Sequence, residues 1–360
     1  MTKIPFCRPF VNEQDGAEVA KTVSNGWITT GKVTSEVEAR IANYLGAKNV
    51  ILLDSCTSAL FLSFEYLKRF KIKKDTFNAI VPSLTFAATA TEVLNSGGSI
   101  TFGDVNKDTM CLEPINGIYD IAVPVHLCGV KADTNYGCPV VEDSAHLFYR
   151  NQMVDNKNLV CFSFYATKNV TMGEGGAIAT NDDQAAAWFK QARHHGISKG
   201  GWDRYAKMNS WEYDIEFIGW KCNPSDIMAT LLNQSLDKVD IIEQERTRCV
   251  NLYNELLGYN NAGLHLYPVL VSDRSKFIEI MAENGVQCSV HFLPLHKMTA
   301  FKTLNASIYP ETALIHENSL ENTEDLGSKL VSLPLFPGLT NDEIILICQI
   351  ANSTGLLLKK

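Results

Sequence analysis

An α/β fold with a mostly parallel sheet of about seven strands is predicted for this 360-residue chain by three observations. Helical patches alternate with short β-branched runs from about residue 34 to 181, the pattern of a parallel sheet with helices on its faces. The runs have the length of single strands. Beyond residue 181 the texture changes to long helical periodicity, after which a second, smaller unit follows. The length agrees, since single cores tend to stop growing near ~250 to 300 residues.

Thr34, Ser35 and Glu36 supply capping residues for a helix through Tyr44 that Gly46 can close. A strand over 50–53 follows, and Ser55-Cys56-Thr57-Ser58 opens a helix to about Phe70. Strands are expected at 79–82, 99–102, 121–125, 140–141, 159–164 and 177–180, with a helix over 86–94. Helix 184–194, a polar aromatic loop to Gly219 and helical periodicity over 226–256 come next. Strand 264–271, helix 276–284, strand 287–291 and helix 342–351 complete the chain. The expected division is a large domain over 1–234 and a small C-terminal α/β domain over 235–360.

An apolar fraction of 46% with 20% charged residues is ordinary globular composition, so wholesale disorder drops out. The net charge of −8 repels phosphate backbones and anionic lipid, which disfavours nucleic-acid and membrane-surface roles. The ten cysteines include no C-x-x-C pair and no zinc-like spacing, so they read as reduced thiols and no metal is expected. No leader and no run of ~18 apolar residues is seen, and a cytoplasmic location is the expectation.

Three motifs carry chemistry. In Ser163-Phe164-Tyr165-Ala166-Thr167-Lys168-Asn169 a strand runs into a turn that reaches Gly173-Glu174-Gly175-Gly176. A lysine at the end of a buried strand is disfavoured as a cation and becomes a better amine nucleophile, which suits a Schiff base. Taken alone, a solvated loop lysine is the commoner case. In Val140-Val141-Glu142-Asp143-Ser144-Ala145-His146 the carboxylates fall at a strand's C-terminal edge, the usual ligand crevice of an open α/β sheet. There Asp143 can keep a heterocyclic nitrogen protonated; a capping aspartate and a packed histidine are the plain alternative. In Asp54-Ser55-Cys56-Thr57-Ser58 the hydroxyls and free amides of a helix start form a phosphate cradle, although serine and threonine also serve as N-caps. Dinucleotide and P-loop glycine patterns are missing. A phosphate cradle, an aspartate for a ring nitrogen and a lysine for an aldehyde together describe pyridoxal 5′-phosphate, whose protonated pyridine is an electron sink.

The chain resembles the DegT/DnrJ/StrS family of pyridoxal-phosphate-dependent nucleotide-sugar aminotransferases. The resemblance rests on Gly26-Trp27-Ile28-Thr29-Thr30-Gly31, Pro82 to Phe86, Pro124-Val125-His126, Glu142 to His146, Phe162 to Asn169, Glu174-Gly175-Gly176 and Ser332 to Pro337. Phe6 to Pro9, Gly201 to Arg204 and Val290-His291-Phe292 are most similar to members that aminate C4 of a 4-keto sugar, such as the UDP-4-amino-4-deoxy-L-arabinose enzyme. The resemblance implies an aspartate-aminotransferase-like fold. It implies that Lys168 carries the cofactor and shuttles protons, that Asp143 bonds the pyridine nitrogen, that His146 touches the phenolic oxygen and that Phe86 stacks on the ring. The Cys56, Thr57 and Ser58 segment and Ser163 would bind the phosphate. Asn223 would reach the phosphate of the neighbouring subunit, which implies a homodimer with interfacial sites. Lys221 is suited by charge to a nucleotide diphosphate or is a solvated loop lysine. Thr29, Thr30, His291 and His296 correspond to sugar-side positions or to ordinary packing.

The activity this implies is transfer of the amino group of L-glutamate, by way of pyridoxamine phosphate, to C4 of a nucleotide-linked 4-keto sugar for surface glycan synthesis. The rivals are amination at C3 and a non-catalytic regulatory protein that binds the cofactor. Three departures are visible: only about a dozen residues, 127–138, join the strands near His126 and Pro139, leaving little room for a crossover helix, and the stretch Glu113 to Asp120 and the loop after His146 are also trimmed.

Overall fold

The computed structural model describes residues 3–114, 117–198, 212–302, 315–317 and 319–358. Its strands are β1 (Asn49–Leu53), β2 (Asn78–Pro82), β3 (Ser99–Gly103), β4 (Ile121–Ala122), β5 (Val141–Ser144), β6 (Leu159–Ser163), β7 (Gly176–Thr180), β8 (Tyr267–Leu270), β9 (Ile315–Glu317) and β10 (Leu330–Leu333). The helices that matter below are α1 (Glu13–Ser24), α2 (Lys32–Leu45), α3 (Cys56–Tyr66), α4 (Ala87–Asn95), α5 (Asp183–Ala192) and α6 (Asp226–Leu236). Two compact units result, one of Val11–Asp75 with Pro139–Val239, the other of Met1–Phe10, Thr76–Cys138 and Asp240–Lys360.

In the first unit the ladder order is β1-β7-β6-β5. β5 and β6 are parallel, while β7 runs antiparallel to both β1 and β6. These strands are buried almost throughout, as a sheet covered on both faces requires. One face packs Val50, Leu52, Val160, Phe162, Ala177 and Ala179 against Val37, Ile41 and Leu45 of α2 and Ala229 and Leu232 of α6. The opposite face carries α3, whose Ser63 hydroxyl lies 3.4 Å from the Cys161 thiol.

α2 ends as expected, on Gly46 in the left-handed region at φ +66°. Its start differs from the expectation that Thr34, Ser35 and Glu36 cap it. Gly31 is the N-cap and offers no side chain, and the orphan amides turn instead to the carboxylate of Asp226. The 226–256 periodicity is two helices, α6 and one over Val239–Leu257, parted at Asp237 and Lys238. Lys238 turns there to pair with the buried Asp15 of α1. A buried ion pair of Arg193 with Glu38 braces β1, because Arg193 also donates to Leu52 O (2.7 Å) and Glu38 accepts from Leu52 N (2.9 Å).

In the second unit β4-β2-β3-β9 form an all-parallel sheet and β10 pairs antiparallel with β8. All seven anticipated strands of the 34–181 region are therefore present, in two ladder groups. The expected strand 287–291 is not one: bridges at Val286 with Ile4 and Ser289 with Ser332 are its sheet-like contacts. Between β4 and β5 the chain makes a 3₁₀ turn over Leu127–Gly129 and no α-helix, in line with its length. Asn156 and Asn158 each donate at 2.8 Å to the buried Glu142 carboxylate of β5, tying the following loop to that strand. Among the described residues no helix is long and apolar enough to cross a membrane, and no cluster of ligands suits a metal.

Candidate active site

The register of the first sheet brings the functional positions to one edge. Gly176, the first residue of β7, pairs with Leu53 at the end of β1 and with Ser163 at the end of β6. Asp143 of β5 pairs with Cys161 of β6. Paired residues share a face and side chains alternate along a strand, so Asp143, Cys161 and Ser163 all face α3, as the Cys161–Ser63 contact requires. α3 begins at that same edge. Its N-cap is Ser55, which accepts from Ser58 N at 3.0 Å, and the first-turn amides of Cys56 and Thr57 have no carbonyl one turn earlier to serve. A Cβ on Gly176 would lie 2.4 Å from Cys56 N and from Ser55 C, so only glycine lets β7 start against the helix.

Lys168 lies in the turn between β6 and β7, half-buried. That turn is strongly tied. Phe164 N donates to Gly175 O (2.8 Å), Met172 N and Thr171 Oγ1 to Phe164 O (2.9 and 3.1 Å), and Lys168 N to Tyr165 O (3.0 Å). Asp143 is 4% exposed and accepts from Ala145 N at 3.1 Å; His146 is also buried. The Cys56 thiol reports how these groups converge. Burial pushes its pKa up, the carboxylate of Asp143 and the neighbouring Cys161 push it further, and the ammonium of Lys168 pulls it back. Both charges act on one side chain at the α3 start. Thr57 there is exposed and Ser58 half-buried.

A second polar group borders the first. Asp54 N donates to Cys222 O (2.8 Å), and burial raises the pKa of the Cys222 thiol. Next to it Lys221 Nζ donates to Asn223 Oδ1, and Asn223 Nδ2 donates to Thr30 Oγ1 at 2.6 Å. Thr30 donates in turn to Pro224 O, while Thr29 is exposed. The sequence-predicted residues of this unit thus form two adjoining clusters.

Phe86, His291 and His296 belong to the other compact unit. Phe86 precedes α4 and is 60% exposed, with its ring 5.9 Å from Phe292. His291 stacks on Phe6 at 5.3 Å and its Nδ1 lies 3.0 Å from Ser332 Oγ. His296 is held from both ring nitrogens, by Ser83 Oγ at 2.7 Å and Glu324 at 3.2 Å. Sequence reasoning missed Ser83, Glu324 and Asp226; for Asp226 the available signal was Ser225-Asp226 opening a helix. The Gly201 to Arg204 motif lies outside the described residues.

The donor set suits pyridoxal phosphate. Helix-start amides and hydroxyls fit a phosphate dianion, a buried carboxylate fits a protonated ring nitrogen, and a half-buried amine fits an aldehyde. Fold and donor set point to a pyridoxal-phosphate-dependent enzyme. The chain belongs to the DegT/DnrJ/EryC1/StrS aminotransferase family, whose model matches residues 9–351. It is 33% identical to the uncharacterized protein MJ1066 of Methanocaldococcus jannaschii, over 95% of each chain. It is 28% identical to the UDP-4-amino-4-deoxy-L-arabinose–oxoglutarate aminotransferase of Shewanella sediminis, again over 95% of each. Its fold is similar to that of Helicobacter pylori PseC, an aminotransferase of pseudoaminic acid biosynthesis, with a TM-score of 0.83 at 22% identity over 98% of this chain and 99% of that one.

Proposed function

We propose that the protein transfers the amino group of L-glutamate to C4 of a nucleotide-linked 4-keto sugar, a 6-deoxyhexose or a pentose, for surface glycan synthesis. The observation that carries this reading is the sheet edge at which Ser163, the turn bearing Lys168 and the start of α3 meet, with the buried Asp143 on the face that α3 covers. The name of the Shewanella relative supports C4 as the position.

Bound pyridoxal phosphate supplies an electron sink that makes a carbanion beside nitrogen accessible. Lys168 Nζ takes the proton from the α-carbon of glutamate and, in the second half of the cycle, delivers one to C4 of the sugar. Asp143 accepts the hydrogen bond of the protonated ring nitrogen, and His146 contacts the phenolic oxygen. Thr57, Ser58, Ser163 and the backbone of Cys56 hold the phosphate. Phe86 covers the ring face. Thr29, Thr30, His291 and His296 contact the sugar, and Lys221 the diphosphate. Asn223 serves the cofactor of a second copy, so the working form is a homodimer with interfacial sites. The functional division is a cofactor-binding domain over 1–234 and a small domain over 235–360, and the setting is the cytoplasm.

The test is a panel of 4-keto and 3-keto nucleotide sugars with glutamate, read by mass spectrometry. Amine gained at C4 is expected, with 2-oxoglutarate released in equal amount. Amine only at C3, or none with any sugar, overturns the reading. A protein that binds the cofactor but never converts it to the pyridoxamine form with glutamate is a regulatory protein instead.

A further inference from the structure

We propose that Asp226 is a positioning residue for the acceptor: its carboxylate locks Thr29, Thr30 and Lys221 into one preset rim for a nucleoside diphosphate and its sugar. The inference rests on the proposed reading of the acceptor as a nucleotide sugar.

Asp226 is 2% exposed and sits in the first turn of α6, yet it does not cap that helix, which Ser225 caps. Its carboxylate points across to the start of α2. Oδ1 accepts from Gly31 N (2.9 Å), Thr34 N (3.0 Å) and Thr34 Oγ1 (2.6 Å), and Oδ2 accepts from Val33 N (3.2 Å). Four donors converge on one group that can only accept. The backbone closes the same junction, since Asp226 N donates to Thr29 O at 3.3 Å.

The fixed point lies between the two segments that carry the rim. Thr29 and Thr30 directly precede the capped residue Gly31, and Lys221, bonded to Asn223, lies just ahead of Asp226. Trp27 Nε1 donates to Thr30 O (3.3 Å), and Asn223 Nδ2 to Thr30 Oγ1 (2.6 Å). Space is as tight as the bonding. A Cβ on Gly31 would meet Trp27 Nε1 at 2.2 Å and Asp226 Oδ2 at 2.9 Å, so this glycine lets indole and carboxylate close on the loop. A rim fixed before the ligand arrives loses less freedom on binding, and its effect falls on affinity rather than on the chemical step.

Asp226→Asn is the direct variant: an amide keeps one acceptor and turns an NH₂ toward amides that are donors. Thr34→Val removes a single donor. Arg40→Ala is the control, because Arg40 ties α2 to the far end of α6 through Asn233 O (3.1 Å) and Asp237 (2.7 Å), away from the rim. Each holoenzyme is titrated calorimetrically with UDP and with dTDP, then assayed with the keto-sugar panel and for the glutamate half-reaction. For Asp226→Asn the dissociation constant of the bound diphosphate and the sugar KM are expected to rise about tenfold, the scale of lost charge-assisted hydrogen bonds. kcat and the glutamate half-reaction should stay within about twofold. Thr34→Val should shift the same quantities less, and Arg40→Ala not at all. Wild-type binding in Asp226→Asn, an equal loss in Arg40→Ala, or no binding of either diphosphate to the wild type overturns the inference. If Asp226→Asn does not fold, unchanged binding in Thr34→Val overturns it. A wild type that binds a diphosphate but aminates no sugar defeats only the transfer reading.

Discussion

The Cα of Gly176 passes so close to Cys56 that a methyl group on it would lie 2.4 Å from the Cys56 backbone nitrogen. The first residue of β7 and the first residue of α3 therefore share one contact, and the helix start proposed to hold the cofactor phosphate depends on a strand that contributes no side chain there.

Gly176→Ala tests that dependence. The neighbours are backbone atoms of Ser55 and Cys56, so relief requires moving the start of α3. A loss of about 1 to 3 kcal/mol is expected from overpacking. Weaker binding of pyridoxal phosphate, by about tenfold, should accompany it, because the amides proposed to hold the dianion move. Thermal unfolding and cofactor titration measure the two.

Alkylation of Cys56 reads the electrostatics of the site with opposite signs. Only the thiolate reacts, and burial with Asp143 holds the thiol pKa high while Lys168 lowers it. In the cofactor-free protein Asp143→Asn should lower that pKa and speed reaction with iodoacetamide at fixed pH. Lys168→Met should raise it and slow the reaction. Peptide mass spectrometry resolves Cys56 from the other nine cysteines. Equal rates in both variants would mean that the two charges do not meet at this thiol.

Asp143→Asn should leave the fold intact and lower kcat by about 10² to 10⁴, the range for losing a group that holds a proton in place. The half-reaction with glutamate, followed by stopped-flow absorbance, should slow by the same factor as the whole cycle.

Arg193→Ala leaves Glu38 buried beside β1 without its cation, though Leu52 N still donates to it. Such a change costs about 3 to 5 kcal/mol. A lower denaturant midpoint with the slope unchanged is the expected result.

Much of this was legible from the chain. The strands were readable because apolar β-branched runs such as Val50 to Leu53 and Leu159 to Phe164 have little choice but burial. The placement of Asp143, of the Lys168 turn and of Ser55 to Ser58 was readable because each lies on or directly after a short apolar strand. What escaped notice joins distant segments: the cap of α2 comes from Asp226, 192 positions from Thr34. Local capping chemistry at Thr34 to Glu36 pointed to a self-contained helix start, and a buried carboxylate from another helix took that place. The segment over 287–291 has strand composition but makes bridges singly with Ile4 and Ser332, so no ladder forms.

β7 runs against both of its neighbours, so the chain leaves the sheet at Ser163 and re-enters it at Gly176, its direct partner on the same rung of the ladder. Lys168 rides on a clip closed at both feet, not on a crossover that must travel the length of the sheet.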